Sequence, residues 1–565
     1  MWEGSVSDGR RTSVQVAVRV VRRIEAFLPV ALIIALGTSV LLIAAAEEPY
    51  HIDELRQVRS YDRDLAGVVM ASIQQEQPPL DAVLNSLAQK VLGIGDVRQR
   101  FLSVLFGVGS LGMIAILTLR SGFTTLGTVS AIGVMSLTPA LTGVTAYARP
   151  YALPVFLMLS FLVLAGLWLR RGRVWALLLS LIVAGSLPWS RTVEPVIFLA
   201  VTGTLLLVMA IIGDNRQRAT WLVGATAAGI AASVPAFSLL SGELGDRTAS
   251  GSSVAERLSR LVLDVPSTIS SALPYWPVLG VIVIVGIALP AARQSLKQLW
   301  WWWALVGTAL GFVVAFVVLA PPTQPFFGRY LFTWVPPAAV MVGAVVSAAM
   351  THASDRWTVT SGLTTVVAGL LVAWGGIVTW QDLSTRSTAD WKTVSEILVG
   401  DLQPDTAILY DQLRPLGDYR TPFAGYPRYT KDHPRIPLSL SLIQNPSALA
   451  PGSNTAVVLL SGGRAVDVPG WVGMGVDRFF TIFLPTTPRP GLKGAAKSAE
   501  EFAEALGPTG AALRLTAASL WLEAGEPDRA DDVIEDLLAD EDLRPEVLTA
   551  IDGSALERHI VSVSP

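Results

Sequence analysis

The chain has 565 residues, of which 52% are hydrophobic and only 15% charged, against a globular norm of about 25% charged. A soluble fold has no means of hiding so much apolar side chain, so the chain reads as mostly membrane-embedded; its net charge of −3 leaves no footprint for nucleic acid. Cysteine is absent and the four histidines (51, 352, 433, 559) are scattered, which argues against a disulfide framework, a thiolate nucleophile and a His- or Cys-built metal centre.

Residues 1–26 form a basic arm carrying Arg10, Arg11, Arg19, Arg22 and Arg23, placed in the cytoplasm by the positive-inside rule. The apolar run that follows is about 20 residues long, the length of a membrane span, and lacks a small-residue cleavage pattern, so the arm is not read as a cleavable signal peptide. A charge at the centre of a span is costly, and stretches free of Asp, Glu, Lys and Arg mark eleven crossings. They fall at about 27–46, 101–119, 123–145, 150–169, 174–189, 195–213, 219–241, 270–292, 299–320, 330–350 and 357–380. Between the first two lies a long external loop, 47–100, rich in acids; Leu65, Val68, Val69, Ser72 and Ile73 within it read as an amphipathic helix in the bilayer interface. The turns that fall inside are short and basic: Arg170/Arg171/Arg173, Arg216/Arg218, Arg293/Lys297 and Arg356. Trp300–Trp303, at the inner start of a span, reads as an aromatic interfacial anchor.

An odd number of crossings puts residues 381–565 outside, as a tail with 16 basic and 26 acidic residues, a net of −10. A short helix from Asp390 to about Leu402 and strands at 407–410, 456–460 and 479–484 predict a small external α/β domain over 381–489. Beyond it, in the 490–565 tail, Ala511–Glu523 and Pro527–Leu538 predict an antiparallel helical hairpin resembling one tetratricopeptide unit. The fold class is therefore a polytopic α-helical membrane protein with a transmembrane domain over 27–380 and an extracytoplasmic C-terminal region.

Asp53-Glu54 stands just beyond the outer end of the first span, and Gln74-Gln75-Glu76-Gln77-Pro78-Pro79-Leu80 follows, its twin prolines ending one segment and starting the next. Taken singly, an acidic pair in a loop is an ordinary solvated feature and a Pro-Pro a loop marker. Together with Val91–Arg100 leading into the second span, they resemble the GT-C membrane glycosyltransferases, and in particular the protein O-mannosyltransferase and lipid A aminoarabinose transferase branch. That branch carries an acidic DE, a (H/Q/K)PPL segment and an "LFG…R" approach to its second helix. Tyr147-Ala148-Arg149-Pro150-Tyr151-Ala152-Leu153 is similar to its "EARxYAL", and Arg329-Tyr330-Leu331-Phe332 to its "RYLL". Asp390-Trp391 with Asp405–Tyr410 is similar to the "DW…GD.ILV" opening of its external domain. The resemblance covers roughly residues 25–485. The chain departs from the pattern where Tyr147 replaces a Glu and where Gln77 stands in the Lys position of the aminoarabinose transferases; the terminal hairpin has no counterpart in it.

The resemblance implies a bacterial plasma-membrane enzyme that moves one sugar, mannose or arabinofuranose, from a polyprenyl-phosphate donor to a hydroxyl of an envelope glycan, glycolipid or protein. It implies Asp53 as the base of a metal-independent inverting transfer, although some GT-C relatives hold a divalent cation on acidic loop residues, an option open to Asp53 with Glu54 or Glu76. Such chemistry needs a carboxylate to take the acceptor proton and fixed cations to hold the departing phosphate. Glu54 and Glu76 are supporting acids; Arg149, Tyr151, Arg329, Tyr330, Gln77 and Arg191 are candidates for holding donor phosphate or substrate, with Arg191 and Glu194 also readable as a structural ion pair. Two other classes fit the same composition: a lipid-linked-sugar transporter or flippase, and a non-enzymatic scaffold with an external binding domain. The first places charge within its spans, whereas here the acids crowd an external loop. Richness in Ala, Val, Gly and Arg with few Lys reads as a GC-rich bacterial genome.

Overall fold

Within the described residues the charge-free stretches fold largely as helices. The computed structural model describes residues 27–46, 54, 57–58, 60–61, 63–74, 77–93, 96–138, 141–142, 145, 148–213, 215–248, 290–319, 332–353, 377, 407–410, 456–461, 466–475, 480–487 and 491–539. They fall into two compact units, residues 1–48 with 60–386, and residues 49–59 with 387–565.

The first unit is helical. Its elements are α1 (Phe27–Ala46), α2 (Leu65–Gln74), α3 (Leu80–Leu92), α4 (Asp96–Arg120), α5 (Thr125–Ser136), α6 (Ala152–Arg171), α7 (Val174–Ser190), α8 (Val193–Ile212), α9 (Arg216–Thr248), α10 (Pro290–Lys297), α11 (Trp300–Leu319) and α12 (Val335–Ala353). Among the described residues five helices are long and apolar enough to cross a membrane, six if the α10–α11 pair counts as one broken span. The expected spans at 123–145, 174–189 and 330–350 correspond to the shorter apolar helices α5, α7 and α12. The expected span at 357–380 lies outside the described residues apart from Ile377, and so does most of the one at 270–292. Its described end, 290–292, belongs instead to α10, which turns 87° into α11. Large apolar side chains such as Leu32, Ile182, Ile211, Val234 and Val314 are exposed on the span surfaces, as a hydrocarbon solvent permits.

Helix ends follow local chemistry. Thr124 caps α5, its hydroxyl accepting from the Gly127 amide at 3.1 Å. Gly172 ends α6 in the left-handed region at φ 62°. α5 and α12 cross where two glycines meet: a Cβ on Gly127 would lie 2.6 Å from the Gly343 carbonyl oxygen, so only hydrogen on both sides allows this approach. The Thr124 amide donates to Ser347 Oγ at 2.9 Å across the same crossing.

The four tryptophans at the start of α11 divide. Trp301 and Trp302 are buried, and their indole N–H groups donate to Ser121 Oγ at 3.2 Å and to the Pro337 carbonyl at 3.0 Å. Trp303, 42% exposed, fits the expected anchor; Trp301 and Trp302 correct it, because their N–H donors find partners inside the bundle.

In the second unit, four strands, β1 (Ala407–Tyr410), β2 (Ala456–Ser461), β3 (Trp471–Gly475) and β4 (Phe480–Pro485), form one sheet of order β1-β2-β4-β3. β1 runs parallel to β2, and the other pairs are antiparallel. Three helices follow, α13 (Gly491–Leu506), α14 (Ala511–Glu523) and α15 (Pro527–Ala539). The expected hairpin is α14 with α15, and α13 precedes it. Phe502 of α13 packs edge-on against Trp471 (4.8 Å) and Phe483 (4.9 Å), joining helices to sheet. The helix expected over 390–402 lies outside the described residues.

Candidate functional site

The loop after α1 is built around two prolines. The Gln77 amide folds back onto the Ser72 carbonyl at 2.9 Å, and Pro78-Pro79 then lead into α3, whose first turn is closed by Val83 N–H on the Pro79 carbonyl at 2.9 Å. α3 is amphipathic in an unusual sense. Asp81, Asn85 and Gln89, four residues apart and so on one face, are buried, while Leu87 and Val91 on the opposite face are 44% and 84% exposed. Buried polar groups need partners, and these have them. Asn85 Nδ2 donates to Asp81 Oδ2 at 3.1 Å, and Gln99 Nε2 to Gln89 Oε1 at 3.1 Å. Ser86 Oγ donates to the Tyr61 carbonyl at 2.9 Å, and the fully buried Arg100 donates from Nη1 to the Ala45 carbonyl at 2.9 Å. α3 is thereby fastened to α4, and α4 to the last turn of α1.

Beside this belt, Gln77 meets the N-terminal end of α6. With its amide oxygen turned toward the guanidinium, Gln77 accepts from Arg149 Nη2 at 2.7 Å and Nη1 at 2.8 Å. The two contacts fix the guanidinium plane. The Tyr151 amide donates to the Arg149 carbonyl at 2.7 Å in the turn that starts α6. The Tyr151 side chain is buried and edge-on to Phe332, ring centres 5.8 Å apart.

Arg191, from the α7–α8 turn, lies 4.4 Å over the Tyr151 ring and 5.5 Å over Phe332. Its Nε donates to both Glu194 oxygens at 2.8 Å. Glu194 is almost wholly enclosed, at 1% side-chain exposure against 18% for Arg191. Burial alone works against the charge on Arg191, but Glu194 and Tyr151 outweigh it and raise its pKa, so the guanidinium stays charged.

The structure thus brings Gln77 to Arg149, and Tyr151 to Arg191 and Glu194, with the Arg149–Tyr151 turn joining the two groups. Glu54 is fully buried and belongs to the second unit. Asp53, Glu76, Arg329 and Tyr330 lie outside the described residues. Among the described residues no three His, Asp or Glu side chains converge as metal ligands; of the acids named for a divalent cation, Asp53 with Glu54 or Glu76, only Glu54 is among them. Phe332, quoted in sequence only within the RYLL-like motif, and the buried polar belt were not picked out as site residues. The i, i+4, i+8 spacing of Asp81, Asn85 and Gln89 was the available signal.

No family model and no curated protein matches the chain. Among solved structures it is similar to ArnT from Cupriavidus metallidurans bound to undecaprenyl phosphate, with a TM-score of 0.47 and 13% identity over 80% of this chain and 97% of that one. The same protein in the apo state gives a TM-score of 0.48 and 12% identity with the same coverage.

Proposed function

We propose that this chain is a membrane glycosyltransferase that moves a single sugar from a polyprenyl-phosphate donor to an acceptor hydroxyl on the extracytoplasmic side. The observation that carries the reading is the pairing of Gln77 with Arg149 beside the Arg191–Glu194–Tyr151 cluster, at the outer end of the proposed span α6. The two arginines have different chemistry. Arg191 is matched by a buried carboxylate and serves to hold the Tyr151 and Phe332 rings. Arg149 gives two N–H groups to the Gln77 amide oxygen, and a guanidinium held in a fixed plane is suited to meeting an arriving phosphate.

In the proposed reaction the acceptor oxygen attacks the anomeric carbon and the new C–O bond forms as the bond from that carbon to the phosphate oxygen breaks. The leaving phosphate keeps the bonding electron pair, and Arg149, with Arg329, holds its growing negative charge. The Asp53 carboxylate takes the acceptor proton, and attack from the face opposite the leaving group inverts the anomeric centre. Glu76 binds sugar or acceptor hydroxyls, while Glu54, fully buried, has no direct contact with them. The donor sugar is mannose or arabinofuranose, and the acceptor an envelope glycan, glycolipid or protein in the bacterial plasma membrane, with the N-terminus cytoplasmic and the region after 380 outside.

A transporter would carry its charge within the spans, yet α1 has no charged residue, α6 none before Arg170, and α8 only Glu194 in its first turn. A general base contributes about 10²–10⁴-fold. Asp53→Asn should therefore lose turnover by about that factor while the protein is still inserted and monodisperse. Full activity in that variant returns the scaffold and transporter readings.

A further inference from the structure

One α6 length from Arg149, about 30 Å at 1.5 Å per residue, the opposite end of the bundle gathers Arg120, Arg170, Arg171, Arg173, Arg216 and Arg218. They sit at the last turns of α4 and α6, just before α7, and at the first turn of α9. Contacts between helices hold the group together. Arg170 Nη1 donates to the Arg120 carbonyl at 2.8 Å, and Arg218 Nη1 to the Leu169 carbonyl at 2.9 Å. Trp168 Nε1 donates to the Arg218 carbonyl at 2.8 Å, and the Arg218 guanidinium lies 3.0 Å from where a Cβ on Gly172 would stand. Arg171, Arg170 and Arg173 all bear on Arg120 as like charges.

Carbonyl oxygens satisfy N–H groups at helix ends but cancel no charge. Among the described residues the ion pairs are Arg191–Glu194, Lys493–Glu526 and Arg514–Asp536, so none of the six is paired with a described carboxylate. Such a concentration of like charge is unfavourable without a counter-anion. Exposed Trp175 and Trp221 flank the group, two residues after Arg173 and three after Arg218, with exposed Ile211 and Ile212 on the same rim. Tryptophan beside aliphatic surface marks headgroup depth. The anion in constant supply at that depth is a phospholipid phosphate, and basic clusters between helices at a membrane face are suited to hold one.

We propose that this arginine cluster is a binding site for the headgroup of an anionic phospholipid, whose phosphate is taken by Arg171 and Arg173 with Arg216 alongside. This goes beyond the bulk attraction of a positive membrane face, because it requires a countable, retained lipid. It is also independent of the transfer reaction proposed above.

The test is native mass spectrometry of the purified full-length protein, titrated with phosphatidylglycerol or with phosphatidylcholine of the same acyl chains. Attraction of the order expected for one or two surface cations gives a preference for phosphatidylglycerol of about fivefold or more. Arg171→Gln/Arg173→Gln, at exposed positions, should reduce that preference to less than about twofold, and Arg216→Gln should lower it in part. Arg514→Gln, in the second unit, should leave it unchanged. Millimolar inorganic phosphate should not displace the lipid. Equal retention of the two lipids, a preference that survives both arginine variants, or displacement by inorganic phosphate overturns the proposal, the last by making the cluster a free-anion site.

Discussion

Replacing Glu194 by glutamine keeps the side chain's shape and removes its charge, and the consequence falls on Arg191. That guanidinium is only 18% exposed and has its Nε on both carboxylate oxygens at 2.8 Å. Breaking a buried ion pair by neutralising one partner costs about 3–5 kcal/mol, because the other charge stays enclosed. The residual exposure of Arg191 puts the expected loss near the lower end, about 3 kcal/mol, which multiplies the unfolded fraction roughly a hundredfold. Removing both charges is a different perturbation. Arg191→Met/Glu194→Leu replaces the pair by apolar groups of similar size and should lie within about 1–2 kcal/mol of the parent. Reversible denaturant unfolding in lipid nanodiscs reads both variants. A Glu194→Gln variant within about 0.5 kcal/mol of the parent, or a double variant worse than the sum of the two singles, refutes the reasoning that this pair is a desolvated structural unit.

Gln77→Glu replaces the amide oxygen that Arg149 holds at 2.7–2.8 Å by a carboxylate, which competes with a donor phosphate for the guanidinium; donor KM should rise about tenfold with little change in kcat, as steady-state kinetics with varied donor will show. Gly127→Ala drives a methyl against the Gly343 carbonyl at 2.6 Å and should cost about 1–3 kcal/mol, whereas Gly112→Ala, with nothing within 4 Å, should be neutral in the same thermal melt. Phe502→Ala removes the ring between Trp471 and Phe483 and should cost about 3–5 kcal/mol, seen as faster proteolysis of the second unit.

Much of the architecture could be read from charge placement, because a charge at the centre of a span is costly. α1, α6 and α8 follow that rule closely, and the Pro78-Pro79 break falls where proline must break a helix. α3 could not be read in the same way. The usual rule turns the apolar face inward, but here Leu87 and Val91 face out while Asp81, Asn85 and Gln89 face in, each held by polar partners. β3 escaped because Gly473 and Gly475 weaken its strand pattern; Gly473 is there because the Phe483 ring comes within 2.8 Å of its would-be Cβ. Trp301 and Trp302 looked like anchors because sequence shows an aromatic cluster but not the Ser121 and Pro337 acceptors that draw it inward. The resemblance in sequence put Gln77 and Arg149 in one functional group; spacing alone gave no sign that they touch, since their contact depends on how the segment before α3 meets the start of α6.

The most direct test supplies the purified protein, in nanodiscs, with a panel of polyprenyl-phosphate sugars and measures release of the free polyprenyl phosphate. One donor should be consumed in step with glycosylated acceptor, and Asp53→Asn should slow this by about 10²–10⁴-fold without impairing donor binding. Donors that bind and cross the bilayer intact, or release undiminished in Asp53→Asn, contradict the proposed transfer.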